Sequence, residues 1–194
     1  MELSSPMVGR RVLLRTLVAS DATAAYLGWL ADPEISRFLE VRFNPPRSLP
    51  ELAAYVEHVH RSSAELLLAI CLLDGGAHVG NIKLGPIDRN HRRGDIGFFI
   101  GERSQWGKGL ASDAIELLSD HALTQMGLEK ITAGCYASNE GSRRALTRAG
   151  FVEEARLRSH WMCDGRRDDG LLFGKLVPTG PRSGSPAPAA AAGE

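Results

Sequence analysis

Trp106-Gly107-Lys108-Gly109-Leu110-Ala111 stands between an apolar, strand-like run (Ile96 to Ile100) and an amphipathic helical pattern. A junction of this kind can hold a pyrophosphate. Gly107 and Gly109 remove side chains where a ligand must approach the backbone closely. The first turn of the following helix leaves amide N–H groups without intrahelical partners. Those donors, with the positive end of the helix dipole, favour an anion. The alternative is a glycine-containing strand-to-helix turn that binds nothing.

Two other phosphate loops are excluded. A dinucleotide fingerprint needs glycine or alanine three residues after its second glycine, where Ser112 stands. A P-loop needs four residues between Gly and Gly-Lys, then Ser or Thr. Five residues separate Gly101 from Gly107, and Gly109 follows Lys108.

Composition bounds the function classes. The chain has 194 residues, 43% hydrophobic and 24% charged, which suits one folded domain. Lys+Arg and Asp+Glu balance at 23 each, so no overall positive field recruits nucleic acid or an anionic membrane. Cys71, Cys135 and Cys163 are an odd number without metal-like spacing, and buried reduced thiols in a cytoplasmic protein are the expectation. No metal site is expected. No basic-then-apolar leader is visible, and no apolar run approaches the roughly 20 residues that span a bilayer.

The elements that position the loop follow from periodicity. Arg11 to Leu17 reads as a first strand, and Ser20 and Asp21 as N-caps of a helix through Leu30, ending near Asp32-Pro33. Ser48, with Pro50 and Glu51 at capping-box spacing, opens a second helix to about His60. Leu66–Leu73 and His78–Leu84 flank Gly75-Gly76 as a hairpin, and a polar loop, Asp88 to Arg93, precedes the strand Asp95–Ile100. Leu110, Ala114, Leu117, Leu118 and His121 share one helical face. A strand follows at Ile131–Tyr136, then a helix lined by Ser142, Ala145, Leu146 and Ala149 and stopped by Gly150. A last strand region runs from Phe151 to Trp161, with Leu171–Leu176 as an edge strand after a turn at Asp164-Gly165. Arg166, Arg167, Asp168 and Asp169 read as a solvated turn. Trp29, Phe38 and Leu39 read as core or pocket wall. From Pro178 the chain is Pro, Gly, Ser and Ala, too poor in apolar surface to offset ordering entropy. The domain therefore spans residues 1–177, with a disordered tail over 178–194. The class is α+β, a mixed, mostly antiparallel sheet flanked by helices.

The order strand, Trp106–Ala111 loop, helix, strand, Asn139-x-x-Ser142, helix, Gly150-Phe151 resembles the GNAT acyl-CoA N-acetyltransferase superfamily. The branch it is most similar to includes ribosomal-protein N-terminal acetyltransferases and amino-sugar acetyltransferases. The specific motifs lie within residues 95 to 151. The resemblance implies that backbone amides of Trp106, Gly107, Lys108, Gly109, Leu110 and Ala111 bind the pyrophosphate of acetyl-CoA, the acyl donor. It implies that Phe98, Phe99 and Ile100 pair with the pantetheine amides as a neighbouring strand would. It places Asn139 against the pantetheine arm and Ser142 near the sulfur. The superfamily's usual Arg or Gln at the first loop position is Trp106 here, a change that main-chain contacts tolerate.

Acetyl transfer needs a group that removes a proton from the acceptor ammonium, a backbone N–H for the oxyanion, and a fate for the thiolate. A splay in the strand at Phe98–Ile100, implied by the resemblance, would expose such an N–H. Many relatives protonate the thiolate with a tyrosine four residues before Gly-Phe. Leu146 holds that place here, so Ser142 is the substitute candidate, its alternative role being a hydroxyl that satisfies a helix N–H. For the base, His160 is the first candidate, an imidazole exchanging protons readily near neutrality. Glu102 and Glu154 follow, and for each the alternative is a solvated surface role. Arg143 or Arg144 is a candidate for the CoA 3′-phosphate. The expected acceptor is a small-molecule amine, an amino sugar or sugar nucleotide suggested by Asn81–Ile87 and Gly94–Gly101. A protein N-terminus is the alternative, and a non-catalytic acyl-CoA-binding module a further one. Monomer and homodimer both remain open.

Overall fold

The computed structural model describes residues 1–177, so the stretch from Pro178 that was expected to be disordered lies outside the described residues. Eight strands make one sheet: β1 (Met7–Val8), β2 (Val12–Thr16), β3 (Leu66–Leu72), β4 (His78–Asp88), β5 (Arg93–Ile100), β6 (Lys130–Tyr136), β7 (Val152–Cys163) and β8 (Arg166–Leu176). Their spatial order is β1-β2-β3-β4-β5-β6-β8-β7. Every neighbouring pair is antiparallel except β5 and β6. The expected mixed, mostly antiparallel α+β architecture is what the chain adopts.

Five helices cover the sheet: α1 (Ala24–Ala31), α2 (Pro33–Ser36), α3 (Leu49–Arg61), α4 (Leu110–Thr124) and α5 (Glu140–Arg148). Strand β3 shows why two layers of helices are needed. Its Leu66, Leu68 and Ile70 pack into one core with Ala114, Ile115 and Leu118 of α4 and Leu146 of α5. Its Leu67, Ala69 and Cys71 belong to a second core with Tyr26, Trp29 and Leu30 of α1 and Leu52, Val56 and Val59 of α3. Alternate side chains of a strand point to opposite faces, so a strand covered on both faces reads as an unbroken apolar run. All three cysteines are buried, and burial pushes the Cys135 thiol up to about 11.

Local chemistry sets the helix ends. Ser48 Oγ accepts from Glu51 N at 3.3 Å, while Glu51 Oε2 accepts from Arg47 N at 2.7 Å. Around the first helix the expectation needs correction. Residues Ala19–Asp21 form a 3-10 turn, and Thr23 is the N-cap, accepting from Tyr26 N at 3.3 Å. Asp21 is drawn instead to the Arg15 guanidinium, which donates to both carboxylate oxygens at 2.7 Å.

Two further corrections concern the C-terminal hairpin. Leu171–Leu176 is no edge strand, because β8 lies between β6 and β7 and the edge is β7. Arg166–Asp169 is no solvated turn, because β8 begins at Arg166 directly after Asp164-Gly165, with Met162 opposite Arg167 and Trp161 opposite Asp168. Asp168 accepts from Ser138 N and Oγ at 3.2 and 2.6 Å, and Asp169 from Ser159 N at 2.8 Å. The charges that suggested a turn are strand residues holding adjacent segments.

Helix α4 carries a buried charge that periodicity did not reveal. Asp113 is 5% exposed and accepts from the backbone N–H groups of Arg10, Arg11 and Val12 at 3.3, 2.7 and 3.1 Å. A Cβ on Gly9 would lie 2.7 Å from Asp113 Oδ2, so only glycine allows this approach. The carboxylate fixes the helix against the start of β2. Leu117 and His121, expected on the buried face, are only partly buried, and Asp113, Ile115 and Ser119 are buried instead. Replacing Asp113 with alanine strands a buried Val12 N–H, and we expect a loss of about 2–4 kcal/mol. Urea denaturation should show a lowered midpoint with an unchanged slope; an unmoved midpoint would deny the tether its role.

Candidate active site

The site begins where two parallel strands part. β5 and β6 are paired only at Arg93, Gly94 and Asp95, opposite Lys130, Ile131 and Thr132. Beyond that point β5 continues to Ile100 and β6 to Tyr136 without pairing, leaving one edge of β5 free. Gly101 N–H donates to Val79 O on β4 at 2.8 Å. By alternation Phe99 and Gly97 direct their amides to β4, and Phe98 and Ile100 direct theirs into the gap. The indole Nε1–H of Trp106 confirms the direction, donating to Ile100 O at 2.8 Å.

A cleft of about 560 Å³ fills the gap. Its floor is Phe98–Ile100, and its walls are the N-terminal turns of α4 and α5 with Phe38 and Leu39 from the segment after α2. Four of the five α-helices have a side-chain N-cap: Thr23, Asp32, Ser48 and Asn139. Helix α4 has none. Gly109 stands at its N-cap in the left-handed region, φ 80° and ψ 9°, and no side chain satisfies the first-turn amides. Gly107 is also left-handed, φ 76°. Three arginines, Arg37, Arg144 and Arg148, line the cleft against two glutamates, Glu34 and Glu140. An uncapped 15-residue helix with a local excess of cations suits an anion.

A second cavity of about 850 Å³ lies on the other side of β5. Tyr26, Tyr55, Asn81, Lys83, Glu40 and Glu51 contribute its polar atoms, and Leu30, Leu52 and Leu67 apolar surface. Phe98, Phe99 and Leu39 line both cavities. Two ligands, one in each, would meet at Phe98–Phe99.

A model of the acetyltransferase (GNAT) domain matches residues 11–152, most of the chain and every residue that lines the cleft. The chain belongs to the GNAT acetyltransferase family. It is 26% identical over 167 residues to the uncharacterized N-acetyltransferase p20 of Bacillus licheniformis, covering 86% of this chain and 93% of that one. It is 25% identical over 99 residues to the ribosomal-protein-serine acetyltransferase of Escherichia coli, covering 51% and 55%. Among solved structures, spermidine N-acetyltransferase of Vibrio cholerae in complex with CoA and spermine superposes with a TM-score of 0.75 at 23% identity, covering 86% and 95%. That likeness is one of fold. As a GNAT acetyltransferase the chain is an N-acetyltransferase.

Of the residues singled out for the cofactor, Phe98, Phe99, Ile100, Trp106, Gly107, Gly109, Leu110, Ala111, Asn139 and Ser142 all line the one cleft. Lys108 does not: its Nζ donates to Gln105 at 3.2 Å, and its carbonyl accepts from Arg11 at 3.3 Å. Asn139 caps α5, its Oδ1 accepting from Ser142 N at 3.0 Å. The N-terminal hydroxyl role considered for Ser142 is thus filled by Asn139. Leu146 is fully buried, so no proton donor stands at that position. Arg144 and Arg148 line the cleft and Arg143 does not, while Arg143 and Arg144 both pair with Glu140.

The candidate bases are scattered. His160 is exposed on the edge strand β7, stacked edgewise on Trp161 at 5.1 Å, and lines neither cavity. Glu154 pairs with Lys130 at 2.7 Å. Glu102 caps the 3-10 turn Arg103–Gln105, where the Ser104 hydroxyl and amide hold its carboxyl below the usual range. A lowered pKa leaves Glu102 ionised throughout neutrality, with no titration step there. Neither Glu102→Gln nor His160→Ala should therefore change the shape of the rate–pH profile near neutrality. A profile that loses its acidic limb in either variant would return that residue to proton transfer.

The sequence missed Tyr26, Tyr55 and the buried Asn81. Each looks like ordinary helix or strand sequence, and only the fold brings them to one cavity.

Proposed function

We propose that this protein moves the acetyl group of acetyl-CoA to a primary amine, the acceptor being an amino sugar or a sugar nucleotide. The observation that carries the reading is the uncapped N-terminus of α4 facing a cleft whose floor is the free edge of β5. The first-turn amides of Leu110, Ala111 and Ser112 suit a pyrophosphate, and the free polar groups of Phe98 and Ile100 suit an arm that carries amides. CoA supplies an activated thioester. The chain's own residues align the arm, exclude water from it, and offer a Phe98 or Ile100 N–H to the developing oxyanion. Ser142 is the hydroxyl at the cleft wall available to the departing sulfur. A water relay through the second cavity, which Glu40 and Glu51 line, can carry the ammonium proton away to solvent.

A second acceptor reading is the N-terminus of a protein, which the ribosomal-protein-serine acetyltransferase among the relatives favours. Turnover measured by mass shift over amines, sugars and peptides separates the two. CoA binding with no turnover on any acceptor would leave a non-catalytic binding module.

Gly109→Val adds a Cβ that would meet only Arg11 Nε, at 4.0 Å, so packing tolerates it while the φ of 80° does not. Relieving that strain re-aims the loop amides, and we expect CoA affinity to fall at least about tenfold, or roughly 1.4 kcal/mol, in a protein that still folds. Calorimetric titration beside a melting curve checks this; undiminished affinity would remove the loop from the cofactor site. Ser142→Ala should lower kcat by about tenfold at unchanged CoA affinity if the hydroxyl serves the leaving sulfur. An unaltered kcat means that the thiolate leaves unaided.

A further inference from the structure

The segment between α2 and α3 forms the partition between the two cavities. Phe38 lines the cleft, Glu40 and Val41 line the second cavity, and Leu39 lines both. Leu39 therefore stands with Phe98 and Phe99 where ligands in the two cavities would meet. The backbone of the segment does not fix it there. Its main-chain hydrogen bonds are short-range: Leu39 N–H donates to Ser36 O, Arg42 N–H to Leu39 O and Asn44 N–H to Val41 O, at 2.8, 3.2 and 3.1 Å. A segment without ladder bonds to the sheet is placed by its side chains.

Arg42 makes the connection. Its Nη1 donates to Leu39 O at 3.0 Å, within the turn that carries it. Its Nη2 donates to Tyr136 Oη at 2.7 Å and to Met162 O at 2.8 Å, residues 94 and 120 positions away in the chain. The guanidinium carbon lies 4.2 Å from the centre of the Phe43 ring and 5.2 Å from that of Tyr136. Tyr136 ends β6, beyond the point where that strand leaves β5, and Met162 is on the edge strand β7. The Tyr136 ring packs between Phe38 at 5.4 Å and Trp161 at 4.9 Å. Arg42, Tyr136 and Met162 line neither cavity.

We propose that Arg42 is a positioning residue of the transferase: by fixing Leu39–Val41 against β6 and β7, it sets how the acceptor amine meets the thioester. A guanidinium suits the task because its N–H groups diverge in one plane at fixed angles, so three acceptors define its place. A lysine keeps the charge and loses the fork. Without the connection, Leu39 and Glu40 move with their segment and the second cavity changes shape. The α4 amides and the free edge of β5 are held by other elements, so the cofactor keeps its partners. Small misplacements of a reacting group slow a reaction steeply, and an opened partition admits water to the thioester. The inference rests on the transferase reading and adds to it a residue outside both cavities.

The test uses the full chain. Calorimetry gives CoA affinity, and thiol release gives amine KM, kcat and the hydrolysis of acetyl-CoA without acceptor. The variants are Arg42→Ala, Arg42→Lys and Tyr136→Phe, with Arg61→Ala, which breaks an exposed pair on α3, as control. With glucosamine or alaninamide as acceptor, Arg42→Ala should raise amine KM about tenfold and leave CoA affinity within about twofold. Arg42→Lys should behave like Arg42→Ala, and Arg61→Ala like the parent. Tyr136→Phe should raise amine KM in the same direction, and the double variant should be no worse than Arg42→Ala alone, because both changes delete one interaction. If neither amine is turned over, hydrolysis decides: Arg42→Ala should speed acceptor-free thiol release by about threefold or more at unchanged CoA affinity. Unmoved amine KM and hydrolysis, additive effects in the double variant, or an equal loss of amine and CoA affinity would overturn the proposal. Should Arg42→Ala not fold, Tyr136→Phe, which keeps the ring, is judged by the same measurements. A parent that binds no CoA sinks the transferase reading and this inference together. A parent that binds CoA and is indifferent to Arg42 sinks the inference alone.

Discussion

The parting of β5 from β6 after three paired residues is the constraint on which the site depends. A sheet that closed fully would satisfy every main-chain group of Phe98 and Ile100 and leave nothing to recognise a ligand. A sheet that opened without control would expose an aggregation-prone edge. Here the gap is bounded on all sides. Helices α4 and α5 present their N-termini to it, the segment from Glu34 to Leu39 closes it, and Trp106 covers its far end by donating to Ile100 O. Arg103 stabilises that closure by bridging the loop after β5 to Asp32 and Glu34 at the start of α2. Individually such exposed pairs contribute little, but these two share one guanidinium and join two walls of the cleft.

The cleft was legible in the sequence because it is built around backbone donors. A glycine at a left-handed N-cap, a strand before it and a helix after it are local facts, and they determine where amides point. Phe98, Trp106, Gly109, Asn139 and Ser142 could thus be assigned to one place from spacing and resemblance. The second cavity was not legible, since it is assembled from α1, the α2–α3 connection, α3, β4 and β5, elements far apart in the chain. Nothing in the sequence around Tyr26 or Asn81 distinguishes them from core residues. The scattered candidate bases illustrate the same limit. His160 has suitable chemistry, but β7 lies at the sheet edge, outside β8, and that order depends on long-range pairing which periodicity cannot reveal.

The C-terminal hairpin was misread for a related reason. Arg166 to Asp169 is a run of four charged residues, which in isolation signals solvent and a turn. In the fold two of these charges satisfy backbone donors, those of Ser138 and Ser159. Asp113 shows the stronger form of this effect. A carboxylate in the first turn of a helix is expected to favour the dipole from the surface. Asp113 instead is buried and accepts three backbone N–H groups of the chain entering β2. It is thereby held away from the cleft, whose lining it does not join.

That division of labour bears on how a formally neutral chain can bind a polyanion. The 23 cationic and 23 anionic side chains cancel over the whole protein, so attraction must be local. Around the cleft it has three sources: three arginines against two glutamates, an uncapped helix dipole, and amides turned outward by glycine. The side-chain charges and the helix dipole are screened by salt, whereas oriented backbone donors act at contact. For an anion in the cleft, contact with the amides would then be a matter of geometry, and the arginines would chiefly speed the encounter. The same reasoning separates the two cavities. The cleft presents backbone donors, which any sequence with the right glycines can provide. The second cavity gathers Tyr26 and Asn81, which only this arrangement of strands and α1 brings together.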